Sequence, residues 1–287
     1  MAAGAAAMLL FALMNALAKH LSETYSVVEI AFYRNLVALV PFLIFALLPA
    51  GRGLFRIHHR PGLLLLRAVL GSLTLMVTFA AFAAMPMAET SVLLFTASLF
   101  LPVLGAVFLK ESVGPWRWSA VVIGFLGVAM MLRPEAGLNG TGVGIAITAA
   151  LLQAVMGILL RRLGGFERPE TIALYFFMTG VLVTGAIMPF VAIGPSADDI
   201  PWFIATGLVG AGAQWMLTVA YRHVEAAVVA VLNYTGLVWA TLLGWLLFSD
   251  WPTVVVFVGS AVVIGANLLI VWRERQLGRR RVATQGA

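Results

Sequence analysis

Amide and hydroxyl side chains recur at helical spacing in two apolar stretches of this sequence, and their chemistry is hydrogen bonding. Gly207, Ala211, Gln214, Thr218 and Tyr221 step by three or four residues and so share one helix face. Asn233, Leu237, Thr241 and Gly244 do the same in the stretch that follows. Aligned positions earlier in the chain read Leu75, Phe79 and Phe82, then Leu94, Ser98, Pro102 and Gly105. Asn15 and Gln153 add an amide on each side. A cavity between such helices has an aromatic, mostly apolar wall facing a wall of amides and hydroxyls. Amides donate and accept, so they can meet the amino or carboxylate group of a small amphipathic solute without a fixed charge. Trp215 and Tyr234 could add stacking. The alternative is that these groups bond helix to helix, at about 0.6 kcal/mol each, and for Phe79 and Phe82 packing is the plainer reading.

Arg34 is the one cation clearly inside an apolar stretch. It calls for a counter-ion, with Glu29, Glu89 and Glu23 as candidates, either as a structural pair or as an outer gate. Glu89 also opens a helix, where an acid complements the N-terminal dipole. Lys110 and Glu111 stand at a span boundary and could tether helices there. Bond-breaking chemistry has little to work with. There is no cysteine, no phosphate-binding Gly-x-x-x-x-Gly-Lys-[Ser/Thr] loop, no His-Glu-x-x-His and no midspan Asp or Glu. No metal, cofactor or enzymatic activity is expected, and direct ATP drive is excluded. Glu89, His20 and His223 are left as titrating candidates; facilitated diffusion is the simpler expectation.

The elements that must position these groups follow from composition. The 287 residues are 62% hydrophobic and only 10% charged, with a mean hydropathy of +1.02. Soluble domains carry about 25% charged residues, so the chain reads as an all-α integral membrane protein. Charges punctuate it at about the 20 residues a spanning helix needs. Ten spans result: 3–20, 30–49, 62–85, 88–109, 116–132, 141–161, 171–192, 201–222, 226–248 and 252–272. The first is read as a retained helix, because no Lys or Arg precedes its apolar run. With both termini cytoplasmic, fifteen Lys and Arg lie inside and only Lys19 and Arg133 outside. The net charge of +6 is thus a loop signature and implies the lipid bilayer, not nucleic acid, as partner.

The chain is also written twice. Ser119–Gly124 recurs unchanged as Ser260–Gly265, and Leu104–Glu111 answers Leu243–Asp250. Ile30–Tyr33 answers Ile172–Tyr175, and Asn15-Ala16 answers Gln153-Ala154, all at offsets between 138 and 142. A repeat of five helices is odd-numbered, so its second copy enters from the opposite side. Two inverted-topology repeats follow, over 1–136 and 137–273, with a basic cytoplasmic tail over 274–287. Such repeats are typical of secondary transporters with a midplane site between the halves.

Phe32-Tyr33-Arg34-Asn35, Pro102 and the run Gly105–Glu111 resemble the drug/metabolite transporter superfamily, specifically its ten-helix EamA family. The second half is degenerate, with Phe176 for Arg34 and Ser249-Asp250 for Lys110-Glu111. The resemblance spans about residues 5 to 272 and implies a non-ATP exporter of a small metabolite working by alternating access. Aromatic or bulky apolar amino acids are the first cargo to consider, as in the bacterial aromatic amino acid exporters. A multidrug or other metabolite exporter and a channel are the alternatives; an intramembrane enzyme fits less well. Spans five and ten, poor in polar groups, leave lipid and a second copy as possible neighbours. Ala/Gly richness and Arg over Lys point to a bacterial cytoplasmic membrane.

Overall fold

Long apolar runs away from water leave the backbone little choice but to bond to itself, which the α-helix does within one segment. The computed structural model describes residues 2–51, 53–57, 60–109, 114–131, 139–163, 167–223 and 235–285, and among them it is helical with no strand. The helices are α1 (Ala2–Leu21), α2 (Val27–Leu47), α3 (Pro61–Ala84), α4 (Met87–Phe95), α5 (Ala97–Leu109) and α6 (Pro115–Met131), followed by α7 (Gly140–Leu163), α8 (Pro169–Val191), α9 (Ile200–His223), α10 (Thr235–Phe248) and α11 (Val254–Gln285). Among the described residues six stretches are long and apolar enough to cross a membrane: Val27–Leu47, Pro61–Ala84, Met87–Phe108, Gly140–Leu159, Glu170–Val191 and Ile200–Leu217. The other four expected spans fall on shorter apolar helices. The outer skin is apolar too, with Leu47 86%, Phe190 85% and Leu182 71% exposed, a surface suited to hydrocarbon.

Local chemistry sets the helix ends. Pro61 and Pro169 start α3 and α8, where a missing N–H costs nothing. Ser26 caps α2 by accepting from the Glu29 N–H at 3.2 Å. The Glu29 carboxylate reaches across to the α8–α9 loop, accepting from the backbone N–H groups of Ile193 at 3.2 Å and Gly194 at 3.0 Å. At the end of α10, Ser249 takes φ 56°, and the Asp250 N–H closes back on the Gly244 carbonyl at 3.1 Å. This left-handed stop brings Asp250 to Lys19 at 3.1 Å.

The expected fourth span is interrupted at Thr96. The Leu99 N–H bonds the Thr96 carbonyl at 2.9 Å, a tightened turn that leaves the Phe95 carbonyl without its usual partner. The Ser98 hydroxyl donates to that carbonyl at 2.6 Å, and the Asn267 amide of α11 donates to it at 3.5 Å. Ser98 and Asn267 also bond each other. A backbone break inside an apolar bundle is tolerated where side chains re-satisfy the freed groups.

Packing crosses between the two parts of the chain. α1 lies against α9 and α10, while α7 lies against α3 and the α4–α5 pair. α2 contacts α8 and α9; α8 contacts α2 and α3; α4 meets α10; α6 meets α11. Exchanging α1, α2, α3, α4–α5 and α6 for α7, α8, α9, α10 and α11 leaves this set of pairs unchanged. Two glycines meet at the α6–α11 crossing: a Cβ on Gly127 would lie 2.9 Å from the Gly259 carbonyl oxygen, and one on Gly259 would lie 2.8 Å from that of Gly127. Backbone cannot step aside as a side chain can. Gly127→Val is therefore expected to destabilise the bundle by about 1–3 kcal/mol, read as a lower melting temperature of the detergent-purified protein. An unchanged melting temperature would refute this crossing.

Candidate functional site

Between the two halves lies a cavity of about 610 Å³. Its α3 wall carries Arg67, Gly71, Thr74, Leu75, Thr78 and Phe82, a run at helical spacing. Asn15 comes from α1, Gln153 and Gly157 from α7, Phe176 from α8, Gln214 from α9 and Ala240 from α10. The interrupted segment supplies Leu94, Phe95 and Ser98. α6 and α11 contribute none of the described lining.

Arg34 projects from α2, roughly 10 Å along the helix from its first residue at 1.5 Å per residue. It lines the cavity and is 2% exposed. The expected carboxylate partner is absent among the described residues. Glu29 is occupied with the α8–α9 loop, Glu23 is exposed, and Glu89 is buried near Lys19 and Asp250, whose charges act on it. Arg34 instead donates to the Asn35 side-chain oxygen at 2.9 Å. Its guanidinium lies over the rings of Phe177 at 5.1 Å and Phe176 at 5.7 Å. Burying a cation in a spanning helix costs about 3 kcal/mol on insertion scales; desolvated cation–π contacts return about 2 kcal/mol each. Two aromatic faces do what one carboxylate was expected to do.

Sequence reasoning counted Arg67 with the loop arginines. It stands inside the cavity wall instead, its guanidinium 5.6 Å from the same Phe176 ring. The signal was available: Arg67 lies four residues before Gly71 and seven before Thr74, on the face already marked by Leu75 and Phe82. Two glycines make the room. A Cβ on Gly210 would lie 2.9 Å from Arg34 Nε, and one on Gly71 would lie 3.0 Å from the Phe176 ring. Arg34 and Phe176 are aligned positions of the repeat, as are Gly71 and Gly210, so one packing solution serves both halves.

The remaining expected residues divide. Asn15, Phe82, Ser98, Gln153 and Gln214 line the cavity; Gln153 donates to the Thr78 hydroxyl at 3.4 Å. Phe79 is buried behind it, among Met14, Tyr25, Ile30 and Phe203. Trp215 turns to the outer surface, 44% exposed and edge-on to Phe45. Thr241 is half-buried outside the lining, and Pro102 is buried within α5. Lys110, Glu111, Asn233 and Tyr234 lie outside the described residues, as do the side chains of Thr218 and Tyr221. Asn267, unremarked in the sequence, joins α11 to the break; a lone amide in an apolar run was the clue. Among the described residues no cluster of His, Asp and Glu could hold a metal ion.

The end of the bundle that carries the α1–α2 loop is tied by polar contacts. Lys19 donates to the Met85 carbonyl at 2.8 Å, pairs with Asp250 and lies 5.0 Å from the Phe248 ring. The Tyr25 hydroxyl donates to Asp199 at 2.7 Å and accepts from the Ser196 N–H at 2.9 Å. Hydrogen bonds from the hydroxyls of Ser196 and Tyr25 hold the Asp199 carboxyl below its ordinary value.

The profile of the EamA-like transporter family matches residues 1–133 and 140–272. Among curated proteins, a riboflavin transporter of Rhizobium johnstonii is 32% identical over 77% of this chain and 74% of its own length. A pseudopaline exporter of Pseudomonas aeruginosa is 29% identical over 91% of both chains. An S-adenosylmethionine uptake transporter of Rickettsia felis is 24% identical over 94% of this chain and 92% of its own. A protein crystal structure shares the fold, with a TM-score of 0.67 over 96% of this chain and 97% of that one at 19% identity.

Two outcomes follow from this geometry. Gly210→Ala is expected to push on Arg34 and lower the melting temperature, and Arg34→Gln in the same chain to recover part of the loss. The coupling in that double-mutant cycle should be on the order of 1 kcal/mol; strict additivity would contradict the contact. Asp199, depressed when folded, contributes stability that is full above its ordinary value of 3.8 and is lost as pH falls through the depressed one. Tyr25→Phe should shrink the acid-induced loss of melting temperature measured from about pH 6 to about pH 3, whereas an identical acid limb would contradict it.

Proposed function

This chain belongs to the EamA-like transporter family, and from that premise we propose that it is a secondary carrier working by alternating access at its central cavity. A multi-pass membrane protein of a transporter family sets the frame; the cavity between the halves carries the reading. A volume of about 610 Å³ is in the range of sites for small organic ligands, about 300–1,000 Å³. It borders the interrupted segment 94–98, and interrupted helices at the midplane are a recurring device of secondary transporters. The exchange symmetry of the helix pairs and the two stretches matched by the family profile support two inverted five-helix repeats. In this reading ten helices span a bacterial cytoplasmic membrane with both termini inside.

The cargo is a small metabolite with a flat or bulky apolar body and a polar head. Phe11, Phe82, Phe95 and Phe176 offer the apolar wall, and Asn15, Gln153 and Gln214 the hydrogen-bonding one. Aromatic and bulky apolar amino acids, exported, remain the first cargo proposed. Riboflavin, pseudopaline and S-adenosylmethionine, carried by the relatives, belong in the same panel.

Counterflow in proteoliposomes tests carriage without knowledge of a coupling ion. Vesicles loaded with unlabelled solute are expected to accumulate the same labelled solute transiently for at least one member of the panel. Gln214→Ala or Gln153→Ala should reduce that accumulation about tenfold, equivalent to 1.4 kcal/mol. No accumulation of any member by folded, inserted protein would overturn the reading, and steady conductance across a planar bilayer would replace it with a channel.

A further inference from the structure

We propose that Arg34 and Arg67 together form an anion subsite, and that the cargo of this carrier presents to it a carboxylate or phosphate group. The inference rests on the carrier reading and adds the charge of the substrate. Four observations carry it. Both arginines line one cavity, and its described lining contains no Asp or Glu. Among the described residues neither guanidinium has an acidic partner, and the Lys19–Asp250 pair lies at the end of the bundle that carries the α1–α2 loop. Arg34 Nε and Arg67 Nε and NH1 are buried with no hydrogen-bond partner among the described residues. Both guanidiniums lie within 6 Å of the Phe176 ring, which puts two like charges beside one aromatic side chain.

Such an arrangement is costly when empty. Cation–π contacts stabilise a guanidinium through its face and leave its in-plane N–H donors unsatisfied, each a desolvated group awaiting an acceptor. Two neighbouring cations also repel in a low-dielectric site. One ligand feature answers both penalties: a group with several acceptor oxygens and negative charge. Carboxylates and phosphates match the guanidinium fork with paired, charge-assisted hydrogen bonds. A neutral amide or a cationic head would leave the repulsion in place.

The arrangement also gives a bound solute an orientation. Its acid end belongs near Phe176, where α2, α3 and α8 meet. The apolar body then extends toward Phe82, Leu94 and Phe95. Gly71 and Gly210 fix the site in place, because Phe176 and Arg34 occupy the space that their side chains would need.

Matched pairs test the charge requirement: phenylalanine against phenylalaninamide, and riboflavin 5′-phosphate against riboflavin. Binding to the purified full-length protein is read by tryptophan fluorescence, and carriage by counterflow. In at least one pair the acid-bearing member should bind at least tenfold more tightly. The pair that responds identifies carboxylate or phosphate. Arg67→Gln should erase the preference and Arg67→Lys, which keeps the charge without the fork, retain only part of it; Arg67 is the variant of choice because Arg34 is packed into the core. Equal binding of both members in both pairs, no saturable binding of either acid, or an unchanged preference in Arg67→Gln would overturn the subsite. An acid that binds without counterflow leaves the subsite standing and removes the carrier reading. Counterflow in which the acid-bearing and neutral members of both pairs move equally fast does the reverse.

Discussion

A guanidinium held inside an apolar helix bundle must find something to stabilise its charge, and the centre of this protein is arranged around that need. Arg34 leaves α2 at a depth where water is scarce, and α8 supplies two phenylalanine faces while α9 supplies an absence, the missing side chain of Gly210. The three helices come from both parts of the chain. A single buried cation thereby fixes which helices must meet. Arg67 imposes the same need from α3, and the Phe176 ring serves both arginines. Polar groups that would be surface decoration in a soluble domain are here the points from which the bundle is hung.

Backbone groups obey a similar rule. The segment around Thr96 gives up a regular helical bond, and Ser98 and Asn267 take over the freed carbonyl. At the end carrying the α1–α2 loop the ties are of another kind: Lys19 to Asp250, Tyr25 to Asp199, Glu29 to the α8–α9 loop. Each joins an element of the first half to one of the second. Of these, the part-exposed Lys19–Asp250 pair contributes about 0–1 kcal/mol, whereas Glu29 is fully buried where it accepts from the loop. The cavity wall is built of buried aromatic and apolar packing, while this end is tied by polar contacts.

Much of this was legible in residue order, and the failures are instructive. Helix existence was readable because apolar runs, Pro61, Pro169 and the charge spacing are local signals. Helix-face spacing pointed to Gln214, and alignment of the two halves pointed to Asn15, Gln153 and Phe82, the last with packing as the plainer reading; all four line the cavity. The spacing failed by one step at Trp215, since a single residue turns the side chain through about 100° and carries it from the cavity to the outer surface. Phe79, for which packing was the plainer reading, lies in a second layer behind the cavity with Tyr25 and Phe203. The search for a counter-ion failed for a deeper reason. Sequence suggests that charge answers charge, whereas the fold answers with the ring quadrupoles of α8, a partner visible only once α2 and α8 are in contact. Arg67 was hidden by its nearness to a helix end, where arginines are expected for orientation alone.

The fit of Arg34 into the space beside Gly210 has a consequence for how this chain can change over generations. A mutation that enlarges residue 210 meets the arginine first and destabilises before it can be useful. A mutation that shortens residue 34 leaves a void beside the glycine. Neither position is free while the other stays as it is, and drift at either should be rare unless both move. The two form a single heritable unit divided between distant parts of the gene, and lineages of similar chains should hold both residues or have replaced both.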